Sequence, residues 1–319
     1  MTTGLEAGHT VDEDQFEPGI PHEDQAAAHL VDLDLAEATA RFSLGLTERW
    51  ALDLAVPWRE VRVSADFEDQ DGEPLPDFES IHHRDETLSG LGDVSVVGRY
   101  RWKPLNIAGW AFDLAAGVSL PTGNTEEDPF ALGADGMAHQ HIFFGSGTVD
   151  PVASVSGYRQ SDVAPFVSWL RLIAPFETNS KGYRAGERVS AGVGVSPSFG
   201  FEALSFLAQL EFFHEEPSRW AGREARNSGR TDMVANIGGF WSPSADWTVQ
   251  LIARIPENLD ARGGQLDLAP IISFGITRSW SLKSHTHGEE DEHEDEDEHD
   301  EESEDRHRAA AAGHEGEPH

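Results

Sequence analysis

The sequence predicts an all-β chain: an antiparallel up-and-down transmembrane β-barrel of about twelve strands, eleven of them visible, followed by a disordered acidic His-rich tail. Three observations predict it. Apolar and polar residues alternate at period two through most of the chain, which is the signature of strands rather than helices. The alternating runs are mostly 10–17 residues long, whereas soluble strands average about five or six and a tilted bilayer-crossing strand needs roughly 9–11. Finally, the connections between runs are alternately short and long, as at the two rims of a spanning barrel.

Residues 1–29 are acidic and patternless and read as an irregular N-terminal segment, leaving 30–282 for the barrel. The first two strands, 30–46 and 50–67, change phase near Leu35/Ala36 and Arg59/Glu60, which predicts bulges. In 94–102, Val94, Val96, Gly98, Tyr100 and Trp102 oppose Ser95, Val97, Arg99 and Arg101. Residues 110–120 set Trp110, Phe112, Leu114, Ala116 and Val118 against Asp113, Ala115, Gly117 and Ser119. Weaker runs follow at 152–159, 163–176, 203–215 and 231–242. Clear alternation returns at 188–199, 247–255 and 266–277.

Short connections fall at 45–49, 103–109, 160–162, 200–203 and 242–246, and long ones at 68–90, 123–149, 177–187, 216–230 and 258–264. In outer-membrane barrels the short turns are periplasmic. Trp50, Trp102, Trp110, Trp241, Trp247 and Trp280 all stand beside short turns, where they would form an interfacial girdle. Strand parity then requires one more ascending strand before residue 30, either hidden in 1–29 or upstream of Met1. The start MTTGLEAGHT has no basic n-region and no apolar h-region, so no signal peptide is expected there and the upstream explanation is preferred.

Apolar faces would meet lipid. The opposite faces carry Asp53, Arg59, Asp93, Arg99, Arg101, Asp113, Glu211, Arg254 and Asp267, which are expected to line the lumen and set its selectivity. In a dry core so many charges would cost several kcal/mol each unless paired, so a large soluble barrel or sandwich is the weaker reading.

Composition narrows the function. The 319 residues carry 23 basic and 58 acidic side chains, a formal net charge of −35 that argues against nucleic acid as a partner. There is no cysteine, which excludes disulfides and thiolate metal sites. No apolar run approaches a transmembrane helix, which leaves a spanning barrel open.

Several stretches resemble outer-membrane barrel proteins grouped as the "putative MetA-pathway of phenol degradation" family. They are GLTERWALDLAVPW (45–58), GLGDVSVVGRYRW (90–102), GVSLPTGN (117–124) and FGSGTVDPVASVSGY (144–158). The resemblance runs over about residues 40–280. It implies a barrel of about twelve strands and uptake of small, in part hydrophobic, molecules, and it brings no catalytic residues. The motif glycines and prolines are expected mostly to shape turns and strand ends.

Enzyme signatures such as GxSxG, HExxH and the phosphate-binding glycine loops are absent. His214 lies on the apolar face near a long loop and reads as an interfacial histidine rather than a catalytic one. Histidines cluster in three places: His82-His83, His139-x-His141, and the tail with His285, His287, His293, His299, His307, His314 and His319. The tail, 283–319, holds 16 acidic residues, 3 basic residues and these 7 histidines, so it is expected to be disordered. Hanging in the periplasm, its imidazoles could bind Zn²⁺, Ni²⁺ or Cu²⁺ weakly; no cofactor is required. The leading expectation is therefore a monomeric channel or transporter of the bacterial outer membrane, in contact with lipid and passing small molecules or ions through a polar lumen. Two alternatives accompany it: a metal-binding outer-membrane protein whose barrel is only an anchor, and a lipid-modifying barrel enzyme.

Overall fold

The computed structural model describes residues 26, 28, 30–103, 107, 109–161, 164–197, 199–261 and 268–281, with 2–10 and 29 described by backbone alone. The strands are β1 (Thr2–Thr10), β2 (Ala28–Gly45), β3 (Trp50–Glu68), β4 (Glu86–Leu91), β5 (Val94–Trp102), β6 (Trp110–Leu120), β7 (Asp150–Arg159) and β8 (Phe166–Ile173). They continue as β9 (Tyr183–Arg184), β10 (Arg188–Val195), β11 (Leu204–Glu215), β12 (Arg219–Trp220), β13 (Arg223–Glu224), β14 (Arg230–Ser244), β15 (Trp247–Ala261) and β16 (Ile271–Arg278). One short helix, α1 (Pro129–Ala134), lies in the loop between β6 and β7.

The main sheet is antiparallel in the order β1-β2-β3-β5-β6-β7-β8-β10-β11-β14-β15-β16, with β4 also on β3. Each of the eleven strands expected from alternation is present. The N-terminal segment expected to be irregular contains β1, whose ladder with β2 runs from Thr10↔Ala28 to Thr2↔Ala36. A strand does stand in 1–29, contrary to the preferred upstream explanation. β1 and β16, the two ends of the strand order, approach one another.

Neither expected bulge interrupts the β2–β3 pair, which is continuous from Ala28↔Glu68 to Gly45↔Ala51. The phase change has another cause. In the half nearest the short turn, the residues on one face are Phe42, Leu44, Trp50, Leu52 and Trp58, all exposed. The opposite face there carries Ser43, Arg41, Glu37, Asp53 and Arg59. Beyond Ala36↔Glu60 the chemistry swaps faces without any break in the ladder. Asp32, Asp34, Arg62, Ser64 and Asp66 now point outward, while Val31, Val61 and Val63 turn inward and are buried. An unbroken strand that reverses its polarity at one level has passed from one solvent to another.

A real irregularity lies on the other edge of β3. Its ladder runs to Ala55↔Ser95 on β5 and resumes at Trp58↔Leu91 on β4. Val56 and Pro57 thus face Gly92, Asp93 and Val94, three residues opposite two. Proline offers the ladder no N–H, and Gly92 N–H instead donates to the Pro57 carbonyl at 2.9 Å. Register shifts also occur between Thr231/Asp232 and Trp241/Ser244 in the β14–β15 pair. At the long-loop end β9, β12 and β13 form a small separate sheet, around which Tyr183, Ala185, Trp220 and Ala225 make a compact apolar cluster.

Candidate functional site

The sheet's polar face is a belt of paired charges. Arg99 bonds Asp53 at 2.8 Å and approaches Asp113 at 3.6 Å, while Arg101 holds Asp113 with two bonds of 2.8 and 2.9 Å. Arg59 pairs with Glu37 at 2.8 Å. Further round the sheet Arg254 and Asn236 both reach Glu211, at 3.3 and 3.2 Å, and Arg230 clamps the buried Asp232. Arg41 and Arg171 have no hydrogen-bonding or ion-pair partner among the described residues. The end strands β1 and β16 approach one another although eleven strand spacings separate them in the order, roughly 53 Å on a flat sheet. The sheet therefore curls with its polar face inside.

The other face is an apolar band exposed all round the sheet. Leu52, Leu114, Val155, Leu170, Val193, Leu210, Ile237, Leu251 and Phe274 are each more than a third exposed. At its short-turn edge Trp50 packs on Tyr100, Trp110 on Phe112, and Arg278 covers the Trp247 ring at 5.2 Å. A concavity of about 560 Å³ opens on the apolar face beside Leu170, Val193 and Phe212, and no titratable side chain lines it.

Above the belt, the loop 121–149 folds against the inner face. Phe144 is 5% exposed, packed with Val31, Val61 and Val63. Its neighbour Phe143 turns the other way, edge-on to Tyr183 and Trp220 at 4.8 and 6.1 Å. The Phe143–Phe144 pair thus bridges two apolar clusters. Asp93 fastens it: one carboxylate oxygen accepts from the Gly123 N–H at 3.0 Å, the other from the Ser146 N–H and hydroxyl at 2.8 and 3.1 Å. Thr122 accepts from the Val94 N–H and donates to the Gly92 carbonyl. A Cβ on Gly145 would stand 2.6 Å from an Asp93 oxygen, and one on Gly123 2.6 Å from the Gly145 nitrogen, so only glycine permits this approach. The stretches GLGD, LPTG and FGSG, which look like separate turns in sequence, meet at one carboxylate.

Two loops also bring three imidazoles together. His82 Nδ1 lies 2.8 Å from His139 Nε2, which lies 3.1 Å from His141 Nε2. His139 is 4% exposed, and its Nδ1 faces the Met137 carbonyl at 2.9 Å. Burial, followed by the fields of His139, His83 and His82, holds the pKa of His141 down to about 3, so its ring is neutral at physiological pH.

Of the residues expected to line a lumen, Asp53, Arg99, Arg101, Asp113, Glu211 and Arg254 share the inner face. Asp93 does not line it openly, because its oxygens are occupied in anchoring the loop. Asp267 and the tail histidines His285 to His319 lie outside the described residues. His214 sits on the outward face, bridging Thr231 at 2.8 Å and Glu216 at 3.3 Å. The hub around Asp93 was missed in sequence because it needs three distant segments. The His82–His139–His141 cluster was visible only as two pairs in two loops.

The resemblance read from the sequence stands over part of the chain: the family described as "Putative MetA-pathway of phenol degradation" matches residues 33–143. Among solved structures, an outer membrane channel from Pseudomonas putida F1 matches with a TM-score of 0.51 at 12% identity, covering 86% of this chain and 91% of that one. At that identity the likeness is one of fold. A search of curated proteins finds no match.

Proposed function

We propose that the chain closes into a twelve-strand, monomeric barrel that passes small solutes, ions included, through its polar lumen. Its place is the bacterial outer membrane. The carrying observation is the sidedness of the strands: an exposed apolar band backs onto a belt of Arg–carboxylate pairs. In water such a band far exceeds the few hundred Å² that soluble monomers expose. In lipid it is the required surface, and the belt of charges behind it suits a wet lumen. The similar fold of a known channel supports the same reading.

The Phe143–Phe144 bridge stands over the outer end of this path and narrows it. Purified full-length chain added to planar bilayers should give discrete conductance steps, larger when Phe144 is changed to alanine. Folded protein that inserts yet conducts in neither form would overturn the channel reading. The tail, 283–319, is proposed to buffer divalent ions weakly near the periplasmic mouth. A peptide of that sequence should bind Zn²⁺ or Ni²⁺ at several weak sites, and equal binding by a His→Gln peptide would refute this.

A further inference from the structure

The three-imidazole cluster at the long-loop end is distinct from the lumen and from the tail. His82 belongs to the β3–β4 connection, while His139 and His141 belong to the β6–β7 connection. The backbone that carries the rings is held in place. The Ser80 hydroxyl accepts from the His82 and His83 N–H groups, fixing the first loop. The His139 N–H donates to the Ile81 carbonyl at 3.1 Å, lacing the two loops together. Helix α1, capped by Asp128, closes one side. Its Gly133 leaves room for the rings, since a Cβ there would come within 3.0 Å of His139 Cε1 and 3.3 Å of His82 Cε1.

The proton inventory shows what the centre lacks. The Met137 carbonyl can only accept, so His139 Nδ1 carries the proton and Nε2 presents its lone pair. That single lone pair faces two imidazole nitrogens, at 2.8 and 3.1 Å. One in-plane lone pair accepts one good hydrogen bond along its axis, so hydrogen bonding alone leaves a second close nitrogen poorly served. A carbonyl behind one imidazole and a bare nitrogen in front is the second-shell arrangement that orients a metal-ligating histidine. The three ligand atoms lie within 4.8 Å of one another.

We propose that His82, His139 and His141 form a binding site for a divalent transition-metal ion of the Zn²⁺ class, which clips the two loops together. Imidazole nitrogens select Zn²⁺, Ni²⁺ and Cu²⁺ over Mg²⁺ and Ca²⁺, which prefer oxygen. Ligands at about 2.0–2.1 Å around a tetrahedral ion stand roughly 3.3 Å apart, so the two close pairs at 2.8 and 3.1 Å open by a few tenths of an ångström while the third separation, within 4.8 Å, closes toward the same value. Three protein nitrogens leave the fourth position to water. Arg84, the cation beside the cluster, is paired with Glu86 at 3.3 Å, which offsets its repulsion. His141 stands two residues from Phe143, so an ion here fixes the segment that bridges the outer mouth.

The test uses the full chain with the seven tail histidines changed to Gln, so that the tail imidazoles no longer contribute. After incubation with Zn²⁺ and gel filtration in detergent, this chain should retain about one ion. His139→Ala should lower the zinc retained at least tenfold while the barrel keeps its heat-modifiable gel migration. Should His139→Ala not fold, His82→Gln, on a half-buried ring, serves in its place. Co²⁺ in the same chain should give visible absorption bands of a tetrahedral site, lost in either variant. No retained zinc in the tail-substituted chain, or equal retention with and without the histidine, overturns the site. Metal retention reads this site whether or not the barrel conducts.

Discussion

The two halves of the β2–β3 hairpin share one backbone ladder and opposite chemistry. Near the short turn, Phe42, Leu52 and Trp58 point outward and Glu37, Arg59 and Asp53 point inward; past Ala36↔Glu60, Asp34 and Arg62 point outward and Val31, Val61 and Val63 inward. The difference teaches that alternation fixes only which residues share a face, while the surroundings decide which face is apolar. Lipid outside and water inside give the first half; water outside and a packed loop inside give the second. On the proposed reading, the level of the swap is a boundary of the bilayer.

Placing one charge on the outward face of each half should break the comparison most sharply. Val96 lies between Leu54 and Val118 in the middle of the band. Val96→Arg should cost about 2–4 kcal/mol in lipid and reduce insertion, whereas Ser64→Arg, on the outward face of the upper half, should stay within about 0.5 kcal/mol. Unfolding titrations in lipid vesicles read both. Equal effects would mean that the upper half is also in lipid.

The inner face of the upper half is tested by Phe144→Ala. Truncating a buried phenylalanine typically costs about 3–5 kcal/mol; in this small cluster at the loop end about 2–3 kcal/mol is expected. Proteolysis within 121–149 should accelerate, with the barrel core unaffected. Asp93→Asn should have a smaller effect of the same kind, about 1–2 kcal/mol, because the amide keeps one acceptor but loses the charge that strengthens bonds to the Gly123 and Ser146 N–H groups. Loosening seen in the β-strands rather than in the loop, by hydrogen exchange, would show that Asp93 supports the barrel instead.

The strands were legible because period two survives in any environment that differs across the sheet. Leu35/Ala36 and Arg59/Glu60 carried the right signal under the wrong cause: a bulge and a change of solvent both invert the phase, and only the unbroken ladder tells them apart. β1 was missed because TTGLEAGHT alternates weakly and takes its place from pairing with β2. The Asp93 hub was hidden for another reason. A lone carboxylate on a polar face reads as lumen, and only the return of 121–149 supplies the N–H groups that it holds.

The smallest expected change in stability accompanies the most informative change in transport. The sequence points to Arg99 and Arg101 as the lumen charges to reverse, but both are tied to Asp53 and Asp113. Glutamates there would crowd four carboxylates together, so altered selectivity and lost stability would arrive as one effect. Arg41 and Arg171 differ from them. Neither has an ion-pair partner among the described residues, and both stand on the inner face. Exposed charges act over a Debye length of about 8 Å at physiological salt, and these two guanidiniums, unlike Arg99 and Arg101, have no carboxylate bonded to them among the described residues. Arg41→Gln with Arg171→Gln should therefore change stability by no more than about 0.5 kcal/mol while shifting the reversal potential in a salt gradient toward cations. A double variant that folds normally and keeps its original ion preference would show that the paired belt, not Arg41 and Arg171, sets selectivity.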